Sequence, residues 1–164
     1  MTAAKAYYDS PLGQILGTAH GDAVTGLWFV GQRYFPDSLG SAEDPGHPPL
    51  RRLGDWLDAY WRGQQPPIDL KLAPAGSEFR QAVWTNLRAI PYGRTTTYGL
   101  IAQQLADQWQ RHVSARAVGG AVSHNPISLV IPCHRVIGAS GALTGYAGGL
   151  DRKTALLELE GVAG

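Results

Sequence analysis

The sequence predicts an α+β protein of two domains, a β-rich N-terminal half and a mainly helical C-terminal half. Strand-like runs separated by turn residues fill the first 30 positions, whereas apolar residues recur at helical spacing after residue 76. The Ala-Pro-Ala-Gly stretch at residues 73–76 is typical of a linker. We therefore expect one domain over residues 1–74 and a second over residues 75–164, within a chain of 164 residues that can bury a real core.

Three strands are predicted first, over residues 4–9, 14–20 and 23–30. Asp9-Ser-Pro-Leu-Gly13 and Gly21-Asp22 carry the turn residues between them, which favours a three-stranded antiparallel sheet. Residues 31–49 are polar and rich in Gly and Pro, so we expect a long loop. An amphipathic helix over residues 49–62 would cover one face of the sheet, and residues 68–72 alternate as in a short edge strand.

The C-terminal half predicts three helices with side-chain N-caps at Ser77, Thr97 and Ser114. The second and third, over residues 98–108 and 115–123, form a helix-turn-helix pattern, and the domain is expected to be winged-helix-like. An apolar run at residues 127–131 predicts a strand that ends at Cys133. A glycine-rich hairpin follows, and then a last helix that we expect Asp151 to cap and Gly161 to end.

Composition excludes some classes of protein and favours others. No apolar run approaches the ~20 residues that a membrane-spanning helix needs, and no signal peptide is recognisable, so we expect a cytoplasmic protein. One cysteine forms no internal disulfide and is too few for a thiolate zinc site. Residues 1–72 have a net charge of −2 and the remainder +3, with seven arginines among eight basic residues. This asymmetry favours an anionic partner for the second half, although a solvated surface explains it equally well.

Cys133, the single cysteine, is a candidate nucleophile because it lies between a proline and His134 at the end of the apolar run. In a strand, successive side chains point to opposite faces, so a water would have to relay the proton between them. A carboxylate from Glu158 or Glu160 could orient the imidazole, and Asn125 could tie the preceding turn. A buried thiol with no chemical role is the alternative interpretation.

The motif Ile131-Pro-Cys-His-Arg-Val136 resembles the active-site signature of the O6-alkylguanine-DNA alkyltransferases. Other segments resemble the family in the same order, and together they span nearly the whole chain: Asp9-Ser-Pro-Leu-Gly13, Phe79-Arg-Gln-Ala-Val-Trp84, Ile90-Pro-Tyr-Gly93, Thr97-Tyr98, Ala115-Arg-Ala-Val-Gly-Gly120, Asn125-Pro126 and Gly145-Tyr-Ala-Gly-Gly149. Related alkyltransferase-like proteins carry tryptophan at the cysteine position, so the resemblance implies an active protein here.

The resemblance implies DNA repair by direct reversal of damage. The protein would flip O6-alkylguanine (or O4-alkylthymine) out of double-stranded DNA and move the alkyl group irreversibly to Cys133. The implied catalytic residues are Cys133, His134, Glu160 and Asn125. The implied substrate-binding residues are Tyr98, Val136, Tyr146, Ala147 and Gly148. The implied minor-groove DNA-binding residues are Thr97, Arg116, Ala117, Gly119, Gly120, Ser123 and Arg135.

Within that set, the resemblance implies specific roles. Tyr98 would donate to guanine N3, and Arg116 would fill the space left by the flipped base. We expect a monomer with no metal and no cofactor, and cooperative binding to DNA stays open. Two other functions stay open: a lesion-binding protein that does not react, and a cysteine hydrolase. The connection at residues 107–113 is longer than the family's usual turn, so Trp109 and Arg111 there either contact DNA or pack.

Overall fold

The structure, a computed structural model, describes residues 3–36, 42–143 and 145–162. Its chain divides into two compact units, residues 1–75 and residues 76–164. This arrangement is the expected mixture of a small sheet and helices. None of the helices in the described ranges has the length and apolarity to cross a membrane.

The first unit is a four-stranded sheet in the order β3-β2-β1-β4. Three antiparallel strands lie where they were predicted: β1 (Ala3–Tyr8), β2 (Ile15–His20) and β3 (Ala23–Phe29). The fourth, β4 (Ala42–Glu43), pairs parallel with β1 inside the segment predicted to be a loop. Residues 37–41 of that segment lie outside the described residues.

A single helix, α1 (Pro48–Trp61), packs on this sheet as predicted. Its apolar face is buried because side chains three and four residues apart share one side of a helix: Leu50, Leu53, Trp56, Leu57 and Tyr60. The edge strand predicted over residues 68–72 is wrong. Within the described residues, this segment makes one isolated parallel bridge, Leu72 to Val24, with the Val24 N–H donating to the Lys71 carbonyl and the Ala73 N–H to the Val24 carbonyl, both at 2.8 Å.

The second unit contains four helices and a two-residue parallel pair of strands. Its helices are α2 (Glu78–Arg88), α3 (Tyr98–Trp109), α4 (Ala115–Ser123) and α5 (Leu150–Leu159). The strands are β5 (Thr96–Thr97) and β6 (Val136–Ile137). The three predicted N-caps are confirmed, since the side chains of Ser77, Thr97 and Ser114 each accept a hydrogen bond from the backbone N–H three residues on, at 3.1–3.2 Å.

The helices of this unit form a core that fixes α4. The indole of Trp84 on α2 is buried and its Nε1 donates to the carbonyl of Ala121 at 2.8 Å. Val118, Ala121 and Val122 bury the inner side of α4. The opposite side of α4 is left facing solvent.

Two predictions in this unit are wrong. Residues 127–131 form a buried turn instead of a strand, and Leu129 has a φ of 72° that no strand residue adopts. The N-cap of α5 is Gly149, with a φ of 97°, and Asp151 lies in the first turn of the helix. The end of α5 is as predicted, because Glu160 is the C-cap and Gly161 follows it with a φ of 78°.

Candidate active site

Cys133 is the first residue of a short 3₁₀ helix, Cys133–Arg135, that leads directly into β6. Its thiol is 5% exposed and is therefore not available to a large rigid molecule. Burial raises the pKa of the Cys133 thiol, while a hydrogen bond from Asn125 and the positive charge of Lys153 act in the opposite direction. The site therefore holds a buried thiol beside two groups that favour its thiolate form.

Asn125 builds the turn that positions this cysteine. Its side-chain oxygen accepts from Ile127 N–H at 3.1 Å, and its Nδ2 donates to the carbonyl of Ile131 at 2.8 Å. Both ends of the turn are therefore tied to one buried amide. The position of Cys133 depends on this turn because the backbone N–H of Cys133 also donates to Ile131, at 2.8 Å.

His134 and Glu160 form a buried pair behind the cysteine. The distance from His134 Nε2 to Glu160 Oε2 is 2.6 Å, and both side chains are fully buried. Glu158, the other carboxylate considered from the sequence, is exposed. Burial lowers the pKa of His134, although the bond to Glu160 opposes the shift, so the ring is neutral at physiological pH.

The bond to Glu160 also fixes which nitrogen of His134 carries the hydrogen. A carboxylate only accepts, so Nε2 is the N–H donor and Nδ1 keeps its lone pair. Within the described part of the chain, Nδ1 is buried and has no hydrogen-bond partner. The geometry therefore leaves a basic nitrogen, held in one tautomer, in the same 3₁₀ turn as the thiol.

Arg135 was expected to contact DNA, but the structure gives its guanidinium another position. Nε donates to Glu160 Oε1 at 2.7 Å, Nη2 to Glu160 Oε2 at 3.1 Å, and Nη1 to the carbonyl of Ile90 at 2.7 Å. The Gly93 N–H also donates to Glu160 Oε1, at 3.3 Å. These bonds give Arg135 a role in positioning Glu160. The DNA contact expected of Arg135 stays a prediction.

Lys153 is a buried cation near the thiol that the sequence did not indicate. Its side chain, on α5, is fully buried, and Nζ donates to the carbonyls of Val136 at 2.5 Å and Gly145 at 3.3 Å. Burial lowers its pKa to about 8, and the charge of Cys133 opposes that shift. Helical spacing was the sequence signal that could have indicated its burial. Leu156 and Leu157, three and four residues on, lie on the same face of the helix and are also buried.

The residues expected to bind substrate lie on several segments of this unit. Val136 and Gly148 are buried, and Tyr146 and Ala147 are half-buried. Burial raises the pKa of Tyr146 well above its ordinary value, and the negative charge that Cys133 carries as a thiolate acts in the same direction. Tyr98 begins α3, with its ring 3.8 Å from where a Cβ on Gly119 would lie.

The residues expected to bind DNA are mostly on the open side of α4. Arg116, Ala117 and Gly120 are exposed, and a Cβ on Gly120 would meet nothing within 4 Å. Ser123 differs because its hydroxyl donates to the Gly119 carbonyl at 2.9 Å. Thr97 is half-buried and accepts from Leu100 N–H. The side of α4 that faces away from the core is therefore exposed, and it carries small residues and one arginine.

The described residues contain no cluster of histidine, cysteine, aspartate and glutamate side chains able to hold a metal ion. The chemistry that the site offers is that of a buried thiol, a neutral imidazole held by a carboxylate, and a buried ammonium.

Comparison with known proteins places this arrangement in a class. The chain is 47% identical over 152 residues to the methylated-DNA–protein-cysteine methyltransferase of Mycobacterium tuberculosis, covering 93% of this chain and 88% of the relative. The crystal structure of an M. tuberculosis O6-methylguanine methyltransferase aligns with a TM-score of 0.84 and 45% identity, over 97% of this chain and 93% of that one. A structure described as M. tuberculosis OGT in complex with DNA aligns with a TM-score of 0.83 and 45% identity, over 96% and 92%. The fold is therefore that of the methylated-DNA–protein-cysteine methyltransferases.

Two segments of the chain match models of known sequence families. Residues 78–162 match the DNA binding domain of 6-O-methylguanine DNA methyltransferase, and residues 4–74 match its ribonuclease-like domain. The chain belongs to the 6-O-methylguanine DNA methyltransferase family, and the resemblance seen in the sequence is confirmed.

Proposed function

We propose that this protein repairs O6-alkylguanine in double-stranded DNA by transferring the alkyl group irreversibly to its own Cys133. Each molecule acts once, because the thioether that forms has no route back to a thiol. Membership of the family supports the reaction class. The observation that carries the proposal is the buried Cys133 beside His134, whose Nε2 is bonded to Glu160 and whose Nδ1 is the available base.

The transfer step moves one alkyl group and two protons. His134 Nδ1 takes the Cys133 proton through a water, and Glu160 stabilises the imidazolium that results. The sulfur then attacks the alkyl carbon, the S–C bond forms, and the bond from that carbon to guanine O6 breaks. The electron pair of the broken bond goes to the guanine, which takes a proton at N3 from the Tyr98 hydroxyl. Solvent then carries the imidazolium proton back to the Tyr98 phenolate, so both side chains return to their neutral forms.

The same geometry explains why a protein would bury its acceptor. A thiol with a raised pKa reacts slowly with dissolved alkylating agents, because the thiolate is the reactive form. A lesion base that enters the site brings its alkyl carbon to the sulfur and excludes water at the same time. Val136, Tyr146, Ala147 and Gly148 form the walls of this base-receiving pocket.

DNA binding belongs to the open face of α4. A base stacked in a duplex cannot reach a buried thiol, so the lesion must be flipped out. Ala117, Gly119 and Gly120 let the backbone of α4 approach the minor groove, and Arg116 fills the space left in the stack. Thr97 and Ser123 contact the backbone of the DNA beside the lesion.

Other parts of the proposal go further than this site. We infer that O4-alkylthymine is a second substrate and that residues 1–74 support the catalytic residues 75–164. A monomer that binds DNA cooperatively, and a cytoplasmic location, stay predictions.

The decisive experiment uses duplex DNA with a labelled O6-methylguanine. We expect one label per protein molecule, attached to the peptide that contains Cys133, and no transfer in Cys133→Ala. Mass spectrometry of the reacted protein locates the adduct.

The same experiment separates the two other functions considered from the sequence. Label that stays on tightly bound DNA would identify a lesion-binding protein. Repeated turnover with no label kept by the protein would identify a hydrolase. Either result would overturn the proposal.

A further inference from the structure

The turn between α3 and α4 carries a surface that the repair reaction does not use. The helix α3 ends at Trp109, and Gln110 follows in a left-handed conformation with a φ of 53°. Gln110 Nε2 donates to the Asp107 carbonyl at 2.6 Å, and Arg111 N–H donates to the Ala106 carbonyl at 3.3 Å. These bonds hold the turn against the end of α3. They therefore fix the backbone from which the Arg111 side chain projects.

An aromatic stack orients Arg111 on this turn. Its guanidinium lies 4.7 Å from the centre of the Trp109 ring, and the ring of Phe79, from the first turn of α2, meets Trp109 edge-on at 6.0 Å. Such a stack restricts an arginine without using its N–H donors. In the part of the chain that the structure describes, the Arg111 side chain makes no hydrogen bond or ion pair, and the residue is exposed, so its donors are available.

The charges around Arg111 favour an anion. No aspartate or glutamate occurs from residue 108 to residue 150, and the carboxylate that precedes this stretch is Asp107 in the last turn of α3. Arg111 precedes Ser114, the N-cap of α4, where the helix dipole places positive charge. Arg116, on the open face of α4, is five residues along the chain, so its Cα lies no more than about 18 Å from that of Arg111. The turn and the start of α4 therefore carry two exposed arginines close together along the chain.

We propose that Arg111, held on the Trp109 ring that Phe79 supports, binds a phosphate of the DNA backbone beside the segment that α4 contacts. This inference rests on the proposed function, and it names a contact outside the lesion pocket. Glu78 lines the same open depression of about 390 Å³ with Phe79, Trp109 and Arg111. Its carboxylate repels a phosphate there, so the strength of the contact is a balance of the two charges.

The test measures binding of an undamaged duplex to the full protein at several KCl concentrations. We expect Arg111→Ala to weaken binding about three- to tenfold at 0.1 M KCl and to reduce the slope of log K against log salt by about 0.9, the value for one phosphate. Trp109→Ala should weaken binding less, because the charge stays and only its orientation is lost. Glu78→Gln should strengthen binding.

Two controls define the comparison. Arg51→Ala removes an exposed arginine of α1 in the other unit and should leave both affinity and slope unchanged. Arg116→Ala gives the size of effect for the proposed principal DNA contact. Transfer from free O6-benzylguanine should proceed at the wild-type rate in Arg111→Ala, since that substrate has no phosphate.

Several outcomes would overturn the inference. An unchanged salt slope in Arg111→Ala would show that no phosphate is bound there. Equal loss of free-base transfer and duplex binding would show a structural role instead. Inorganic phosphate that binds only while Arg111 is present, at constant ionic strength and without displacing the duplex, would identify a small-anion site instead. Failure of the labelled-lesion experiment would overturn the repair function, whereas this binding measurement would still be valid.

Discussion

The two units of the molecule bury polar side chains for different reasons. Among the described residues, the first unit buries Thr18 and Gln32, and the second buries Asn125, Ser128, His134, Lys153 and Glu160. Thr18 is bonded to Thr25 at 2.8 Å, and Gln32 closes a local turn with Phe29 N–H at 2.9 Å. Both are neutral and locally satisfied, as expected of a structural unit.

The second unit instead buries an acid, two bases and a thiol within one small region. Taking ionisable groups out of water is costly unless they are paired, so a fold tolerates such a cluster where chemistry requires it. Buried charge, more than pocket shape, therefore identifies the reactive part of this protein. Variants that change charge and packing separately test this contrast between the two units.

The largest effect is expected for Glu160→Gln. Glutamine keeps the shape and can still accept from His134, but it lacks the negative charge that stabilises an imidazolium. We expect transfer to Cys133 to slow about 100-fold, within the range for loss of general-base assistance. Single-turnover kinetics with free O6-benzylguanine measure this rate.

Glu158→Gln is the matched control for this variant. Glu158 is exposed and only two residues away, so its rate should stay within about twofold of wild type. Equal rates in the two variants would remove Glu160 from the proton transfer. The pH profile adds a second check: because the pKa of His134 is lowered, the wild-type rate should stay level down to about pH 6.5 and fall below it.

An intermediate effect is expected from two glycines that sit in helices of the two units. Alanine at Gly120 would meet nothing within 4 Å, so Gly120→Ala should stabilise the free protein by about 1 kcal/mol. The same methyl group should weaken duplex binding several-fold, because it stands between the backbone of α4 and the DNA. Urea unfolding and fluorescence anisotropy measure the two quantities.

Gly54 in α1 gives the contrast. A Cβ there would lie 3.1 Å from the Tyr8 ring, so Gly54→Ala should gain less stability or lose some, and leave DNA binding unchanged. A Gly120→Ala protein that binds duplex as tightly as wild type would contradict the proposed docking of α4.

The elements that the sequence predicted well are those governed by local interactions. Helix starts followed from the hydroxyl side chains of Ser77, Thr97 and Ser114, which each satisfy a backbone N–H within their own first turn. The three antiparallel strands followed from alternation and turn residues. The two-residue β4 was missed, since so short a strand has no pattern and exists through its partner β1.

The errors arose where the fold overrides local pattern. An apolar run at residues 127–131 predicts a strand, yet the amide of Asn125 bonds both ends of that run into a buried turn. In the site, the spacing alone left Glu158 and Glu160 as candidates, and the resemblance implied Glu160. The structure buries Glu160 at the C-cap of α5 and exposes Glu158. Lys153 was missed because a single charge in a helix usually faces solvent.

The smallest effect is expected for Lys153. Its titration tests most directly the contrast in buried charge between the two units. Its folded-state pKa of about 8 lies below the ordinary 10.5. Between these values the unfolded chain holds more protons than the folded protein, so the unfolding free energy must rise with pH in that window. Below pH 8 both states hold the proton and the contribution is constant.

We expect the unfolding free energy of the wild type to rise, relative to Lys153→Met, by about 0.5 to 1 kcal/mol between pH 7 and 8.5. Urea titrations at closely spaced pH values measure it, and the window lies below the range in which the tyrosines titrate. The absolute stabilities do not matter here, because methionine also leaves the carbonyls of Val136 and Gly145 without a donor. Parallel curves for the two proteins would mean that Lys153 titrates as an exposed amine, and the second unit would then bury less charge than the comparison requires.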